Sequence, residues 1–357
     1  MDKTKEKSSS IRFSGAELLK LFAIFLICIS HTIQTAEKFL DYSTMSSAIV
    51  TLKLFRHFGQ IGNLIFITCS AFYLVDKSKT KIEKVIKMLL DSVIISITIF
   101  VFLLMLNYHF SAFEIVRQFL PDLFLNLTFI LAYIVLYLIH PVLNKICDKF
   151  DKKKLATIII TYAIIYVIFA TIFDFTIGSN LSSYIFVYGI IYYTKKYYKN
   201  FYQNAKKNII GCLLFFGVFI MLTVACDMLF KHNRFNPVLS FLLIPAVICL
   251  FAAVQNLKFK NVVINYLSSC SLFFYCLHEN LLIRTYIRPI KLQNFYNNIN
   301  NNYVFGSLVY AAIIFVTYFA VALLYKLSIS KLTSYLSKKM ANVIKNVTTE
   351  KRYINKN

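Results

Sequence analysis

The first apolar segment of the chain, residues 16–35, carries two ionisable side chains at a spacing that could support chemistry. Lys20 stands near its start, and His31 follows ten nearly unbroken apolar residues later. In a helix, eleven positions make three turns plus about 20°, so both side chains share one face, roughly 16 Å apart along the axis. A neutral imidazole can accept a hydroxyl proton, and an ammonium group can bind an anion. The pattern therefore predicts a base and an anion-binding group on one helix face.

The same two residues also have a purely structural interpretation. A lysine near the end of an apolar helix commonly extends its ammonium group to the membrane interface, and a histidine can simply hydrogen-bond to a neighbouring helix. The spacing of Lys20 and His31 leaves both interpretations open. Ionisable residues inside a bilayer are costly, however, which makes His31 a candidate functional residue.

A second histidine, His278, lies towards the outer end of a later apolar segment, and Glu279 follows it. We expect His278 to act as a second proton-handling or acceptor-orienting group, with Tyr275 one turn away as support; the alternative is an interfacial histidine satisfied by water. Ser70 is most simply a small residue for helix packing. The six histidines show no metal-binding motif such as His-Glu-x-x-His, so no metal site is predicted.

The elements that must position these residues are long apolar segments. The 357 residues are 58% hydrophobic with a mean hydropathy of +0.64, and only 15% are charged, whereas soluble chains carry about 25%. Because lipid offers the backbone no hydrogen-bond partners, such segments must be helices. We therefore predict an all-α, polytopic transmembrane bundle of about ten helices, over residues 16–35, 58–75, 88–107, 118–144, 155–173, 181–194, 208–230, 238–256, 262–283 and 303–326.

The charge distribution predicts the orientation of this bundle. Most of the 39 Lys and Arg residues fall in alternate loops and at the two termini, and such clusters mark the cytoplasmic side. We expect a cytoplasmic segment at residues 1–15, a membrane domain at 16–330 and a basic cytoplasmic tail at 331–357. The net charge of +23 is thereby explained by membrane orientation, and no nucleic-acid partner is predicted. The eight cysteines lack Cys-x-x-Cys spacing and are interpreted as small buried hydrophobes.

Several segments, taken in chain order, resemble the acyltransferase 3 family of membrane acyltransferases. In that family a basic residue, ten further residues and a histidine mark the first helix; Lys20 and His31 stand at this spacing, with lysine in place of the more frequent arginine. The segment from Gly62 resembles the family's Gly-x-x-x-Phe and Ser-Gly-Tyr-Leu pattern, with Ala71 in place of glycine. Residues 271–278 match the Ser-x-x-x-Tyr-x-x-His run near the carboxyl end.

Two further positions belong to this resemblance. Lys84 and Lys87 stand where many members have two arginines three residues apart. Residues 127–141 resemble a later helix that often opens with His-Leu-Trp and ends in proline, but Asn126 and Thr128 replace the histidine and the tryptophan. Any role of that family histidine is therefore absent or moved in this chain.

The resemblance implies an enzyme that transfers an acyl group, commonly acetyl, from cytoplasmic acyl-CoA to a hydroxyl of an extracytoplasmic cell-surface glycan. On this basis His31 and His278 are the expected catalytic residues, and Lys20, Lys84 and Lys87 are expected to bind the anionic donor. Acyl-CoA would be a substrate and not a tightly bound cofactor. The expected partners are acyl-CoA, the glycan acceptor and the lipid bilayer of a bacterial cell membrane.

Two other functional classes compete with this interpretation. A polytopic transporter or flippase for a polar or lipid-linked substrate usually shows paired helices broken by Gly or Pro in two matched halves. The eight Gly and five Pro of this chain are scattered unevenly, and intramembrane acids that could couple ions are scarce, with Asp91 and Asp227 the best candidates. A sensory or assembly domain of the membrane is the third class.

Overall fold

The protein is described by a computed structural model covering residues 14–40, 46–121, 128–173, 181–229, 239–299 and 302–354. Within these ranges it is built from helices and contains no β-strand. The α-helices are α1 (Gly15–Ala36), α2 (Ser47–Arg56), α3 (Phe58–Leu74), α4 (Ile82–Met105), α5 (Ala112–Phe119), α6 (Thr128–Asp148), α7 (Lys152–Phe173), α8 (Leu181–Tyr197), α9 (Ala205–Leu229), α10 (Leu243–Val254), α11 (Val262–Ser268), α12 (Ser271–His278), α13 (Arg288–Asn298), α14 (Tyr303–Ser328) and α15 (Ser330–Ile354). A 3₁₀ turn at Lys199–Gln203 and a π turn at Ile283–Ile287 complete the helical content of the described residues.

The all-α prediction is confirmed for the described part of the chain. Five of these helices are long and apolar enough to cross a membrane: α1, α4, α6 from Phe129 onward, α9 and α14. The other predicted spans fall on α3, α7 and α8, on the 12-residue α10, and on the pair α11 and α12. The count of about ten crossings remains a prediction.

The predicted span 262–283 is divided in the structure. α11 ends at Ser268, α12 begins at Ser271, and the α-helix stops at His278. The hydroxyl groups of Ser269 and Ser271 donate to the backbone carbonyls of Tyr266 and Ser268. Such local bonds compete with the regular helical ladder, so the serine-rich stretch opens the helix beside α1.

α1 is the most enclosed of the five membrane-capable helices, and it packs against α2, α3 and each of α10 to α14. Its contact with α3 depends on Gly62, because a Cβ atom there would lie 2.6 Å from the carbonyl oxygen of Ala23. Small residues allow two membrane helices to approach closely in this way. Neighbouring helices therefore cover most of α1, with Leu18 and Phe22 left exposed, and this packing fixes the direction of its buried polar side chains.

Loops with predicted cytoplasmic lysines meet at one end of the bundle. The Asn144 side chain donates to carbonyls of the turn after α3, including that of Lys77 at 3.0 Å, and Lys196 lies 3.1 Å from Asp148. The hydroxyl of Ser14, just before α1, contacts the backbone of Asn261. At the opposite end of α1, the Ser30 hydroxyl donates to the carbonyl of Arg56 at 2.6 Å.

Candidate active site

His31 and Glu279 form the centre of a buried polar cluster away from the lysine-rich end. Nδ1 of His31 lies 2.6 Å from Oε1 of Glu279. The imidazole is 18% exposed, whereas the carboxylate is 6% exposed. Since a carboxylate is an acceptor only, we assign the proton of the neutral imidazole to Nδ1 of His31, which leaves Nε2 as the basic nitrogen.

His278 joins this cluster through its ring. The imidazoles of His31 and His278 stack with centroids 5.3 Å apart and an interplanar angle of 11°. His278 is completely buried, and its Nε2 lies 3.6 Å from Oε1 of Glu279. On its other side Nδ1 lies 3.8 Å from Sγ of Cys28. The two histidines predicted from the sequence are thus brought together around one carboxylate.

Arg288 contacts the same carboxylate oxygen as His31. Its guanidinium is 1% exposed, and Nη2 lies 3.1 Å from Oε1 of Glu279. The same nitrogen donates to the backbone carbonyl of His278. Arg284 approaches the other carboxylate oxygen at 3.8 Å but is 36% exposed. One buried cation therefore compensates the buried anion, which would otherwise be costly in this environment.

The chain folds in this way because α12 ends abruptly beside α4. Glu279 is the residue after the last helical position, and Asn280, also fully buried, follows it. The Asn280 side chain accepts from the Leu282 amide at 3.0 Å and donates to the Ser96 hydroxyl at 3.1 Å. The chain then continues through the π turn into α13, which opens with Arg288 and has a proline in its first turn.

Three buried polar atoms of the cluster have no hydrogen bond of regular geometry among the described residues: Nδ1 of His31, which meets Glu279 only in the close ion-pair contact, Nε2 of His278 and Nε of Arg288. Buried groups of this kind are rare and are concentrated at functional sites. By distance alone, His31, His278 and Glu279 could also hold a metal ion, since their ligand atoms lie within 4.8 Å of one another. The guanidinium of Arg288 already faces the same carboxylate oxygen and would repel a cation, so we assign no metal.

Lys20 lies on a cavity that extends from the first turns of α1 towards the histidines. Its Nζ is 3.2 Å from Oε1 of Glu17, whose other oxygen accepts from the Ser268 hydroxyl at 2.5 Å. The cavity has a volume of about 250 Å³. It reaches Tyr275, which stands one helical turn before His278. Its walls are formed by Lys20, Phe66, Ser70, Met88, Phe129, Ile130, Tyr133, Ser268, Ser269, Ser271, Leu272 and Tyr275.

Lys84 and Lys87 occupy different environments on α4. Lys84 is exposed in the first turn. Nζ of Lys87 lies 2.8 Å from Oδ2 of the buried Asp91 and donates to the hydroxyls of Ser330 and Thr333 at 3.1 and 3.0 Å. Lys87 therefore joins α4 to α15, a structural role that the spacing of the two lysines did not suggest.

Sequence reasoning missed part of this site. Arg284 and Arg288 stand four residues apart, a spacing that places two side chains on one helical face, but the sequence alone assigns no role to either. Glu279 was noted merely as the neighbour of His278. Cys28 was assigned to packing, and its contact with His278 joins residues distant in sequence. Asn126, one of the departures from the family pattern, lies outside the described residues.

Comparison with known families identifies the family of the chain. The family model Acyl_transf_3, an acyltransferase domain, matches residues 13–327, which include His31, Glu279 and Arg288. No curated protein and no solved structure matches the chain. The match spans nearly the whole chain and confirms the family expected from the sequence. The chain belongs to the acyltransferase 3 family and is a membrane acyltransferase.

Proposed function

We propose that this protein transfers an acyl group, most simply acetyl, from acyl-CoA on the cytoplasmic side to a hydroxyl of a cell-surface glycan on the other side. The observation that carries the proposal is the 2.6 Å contact between Nδ1 of His31 and Oε1 of Glu279. A carboxylate that orients an imidazole, and stabilises it once it is protonated, is the arrangement that general-base catalysis requires.

In the proposed reaction, His31 handles the proton. Nε2 of His31 accepts the proton of the acceptor hydroxyl as the hydroxyl oxygen attacks the thioester carbonyl. The new ester bond forms, the carbon–sulfur bond breaks, and the CoA thiolate takes the proton back from His31. Glu279 stabilises the imidazolium between these steps, and Arg288 keeps Glu279 in place.

His278 has a positioning role in this proposal. Its ring is completely buried, so direct contact with an acceptor would require the cluster to open. The stacking on His31 and the shared carboxylate instead restrict the plane of the His31 ring. A base held within a narrow range of orientations reacts faster because less reorganisation is needed.

The donor is proposed to enter through the cavity beside Lys20. CoA carries its phosphates at one end and its thioester at the end of a long neutral arm. Lys20, Lys84 and Lys87 lie on the side of the bundle where the phosphates would stay, and the cavity continues inward to Tyr275. The roughly 16 Å between Lys20 and His31 along an ideal helix is comparable to the length of an extended pantetheine arm.

The membrane arrangement follows from the same proposal. We infer about ten crossings with both termini in the cytoplasm, since the lysine-rich loops share one end of the bundle and such clusters stay inside. Residues 16–330 then form the membrane acyltransferase domain, between a cytoplasmic segment at 1–15 and a basic tail at 331–357. The plasma membrane is the compartment in which acyl-CoA and a surface glycan are available on opposite faces.

The test is ester analysis of surface polysaccharides from cells that lack the protein, complemented with variants. We expect wild type to restore the ester and His31→Ala not to restore it, although it should insert at the same level. His109→Ala is the matched control, since His109 is exposed in the loop after α4 and should restore wild-type acylation. Full acylation by a normally inserted His31→Ala protein would disprove the assignment.

A further inference from the structure

The tail helix α15 has three distinct faces. The first is buried: Thr333, Ser337 and Ala341 recur every four residues, and the helix packs against α4. Small side chains on this face allow the close approach. The first turn is also anchored by polar contacts, because the Thr333 hydroxyl donates to Oδ1 of the buried Asp91 at 2.7 Å.

The second face is apolar and exposed. Leu332, Leu336, Met340 and Val343 fall within about 80° of one another at 100° per residue. Leu332 is 55% exposed and Val343 is 57% exposed. An apolar stripe of this kind is unusual on a helix surrounded by water, because each side chain would be better placed in an apolar phase.

The third face is basic. Lys331, Lys338 and Lys345 recur every seven residues, so they form one stripe within about 40°, and all three are exposed. Around the helix, the buried face lies between this basic stripe and the apolar stripe. Lys339 stands between the two stripes. α15 thus separates its leucine, methionine and valine side chains from most of its charges.

The position of α15 in the bundle supplies an apolar phase beside it. α14 is long and apolar enough to cross a membrane and ends at Ser328. α15 begins at Ser330, two residues later, and its first turn is fixed against Lys87. The exposed apolar face is therefore held at the level where the membrane ends, next to acyl chains and phospholipid headgroups.

We propose that α15 lies in the cytoplasmic interface of the bilayer and binds anionic phospholipids. The stripe from Leu332 to Val343 enters the boundary between headgroups and acyl chains, and Lys331, Lys338 and Lys345 contact lipid phosphates. Amphipathic helices with basic side chains beside a transmembrane helix bind anionic leaflets through this combination of apolar burial and charge. The inference does not depend on any reaction at His31.

The chain contains no tryptophan, so a single introduced one reports on its own surroundings. Full-length Val343→Trp protein is placed, one copy per disc, in nanodiscs that combine a tryptophan-free scaffold protein with phosphatidylcholine carrying brominated acyl chains. Asn342→Trp is the control, because its side chain points about 100° away from Val343, towards the lysine stripe. We expect a blue-shifted emission for Val343→Trp and quenching about threefold stronger than for the control. Equal, water-like emission at both positions would overturn the proposal.

A second arm tests the headgroup. Half of the lipid is replaced by phosphatidylglycerol, and the bromine label is moved from one lipid to the other. Quenching of the Val343→Trp signal should be stronger with brominated phosphatidylglycerol, and exchanging Lys331, Lys338 and Lys345 for Gln should abolish that preference. The same exchange at Lys153, Lys154 and Lys206, which are also exposed, should leave it intact. Loss of the phosphatidylglycerol preference to the same extent in both triple variants would contradict the proposal. A blue-shifted Val343→Trp emission that appears only with two copies per disc would contradict it as well.

Discussion

Nδ1 of His31 and Oε1 of Glu279 lie 2.6 Å apart, although one residue belongs to the first helix and the other follows the twelfth. The contact joins the most enclosed of the five membrane-capable helices to the residue that follows the end of α12. Because Arg288 contacts the same carboxylate oxygen at 3.1 Å, Glu279 has a second partner besides His31. The carboxylate can therefore orient the imidazole throughout a reaction cycle.

The first prediction concerns Glu279→Gln. The amide side chain can present either an oxygen or a nitrogen to His31, so it no longer holds the imidazole in the tautomer that is protonated on Nδ1. It also lacks the negative charge that stabilises an imidazolium. We expect kcat to fall by about 10³- to 10⁴-fold with the KM for acyl-CoA nearly unchanged, measured with the purified protein in nanodiscs. Glu279→Asp retains the charge at a greater distance and should recover part of the loss. An unchanged kcat in Glu279→Gln would remove Glu279 from the mechanism.

The second prediction separates the two arginines near Glu279. Arg288→Met leaves the carboxylate buried without its closest cation, and breaking a buried pair from one side costs about 3–5 kcal/mol of stability. Arg284 is 36% exposed and lies 3.8 Å from the carboxylate, so Arg284→Met should cost less than about 1 kcal/mol. Thermal unfolding in micelles measures both variants. Similar melting temperatures for the two would contradict the assignment of Arg288 as the partner of Glu279.

The helical class and most helix positions follow from the sequence alone. Segments such as 303–326 are so apolar that only a helix can satisfy their backbone in lipid, and the structure places α14 at Tyr303–Ser328. The predicted span 262–283 differs because its serines bond locally to the backbone, an effect that an average of hydropathy does not register. α5 was missed because its apolar side chains, such as Phe113, lie on a helix of only eight residues.

The candidate site was predictable only in part. His31 and His278 stand out because histidines are rare in apolar segments, and the structure brings their rings together. Arg288 could not be placed from the sequence, since its contact with Glu279 depends on the π turn that separates them. The tie between Lys87 and Thr333 likewise depends on the direction in which α15 leaves α14.

The third prediction tests the contact between α1 and α3. Gly62→Ala places a Cβ atom 2.6 Å from the Ala23 carbonyl oxygen, and backbone cannot yield as a flexible side chain can. We expect the free energy of unfolding to fall by about 1–3 kcal/mol, together with lower acyl transfer because α1 carries His31. Gly217→Ala on α9 is the control: nothing lies within 4 Å of its Cβ position. That variant should be neutral or more stable by up to about 1 kcal/mol.

The fourth prediction distinguishes donor binding from structure at Lys84 and Lys87. Lys87→Ala removes the charged partner of the buried Asp91, so we expect a loss of about 1–3 kcal/mol in stability as well as a higher KM for acyl-CoA. Lys84→Ala removes an exposed ammonium, whose interactions contribute less than about 1 kcal/mol, so it should raise KM with a much smaller loss of stability than Lys87→Ala. The melting temperature and the KM for acyl-CoA are measured separately for each variant and compared with those of the wild type. A KM unaffected by either change would remove both lysines from the donor site.

The last prediction is a pH dependence in the loop that carries α5. The Tyr286 hydroxyl donates to Oε1 of Glu114 at 2.6 Å, and the Ser111 amide donates to Oε2 at 2.9 Å. The hydrogen bond from Tyr286 and then that from Ser111 lower the pKa of Glu114 below its ordinary value. The stabilisation is therefore fully present above the unfolded-state pKa of about 4.3 and is lost as the pH falls through the lower folded-state pKa.

Hydrogen exchange of the α5 amides, corrected for the intrinsic rate at each pH, measures this transition. Protection should be constant from neutral pH down to about pH 5 and should decrease only below the unfolded-state pKa. Tyr286→Phe removes the largest cause of the shift, so its transition should move up towards the ordinary value for glutamate. Glu114→Gln should show weak protection with no transition at all. A transition at the same pH in Tyr286→Phe and wild type would mean that Tyr286 does not hold the carboxylate, and α5 would then be anchored by its own capping box.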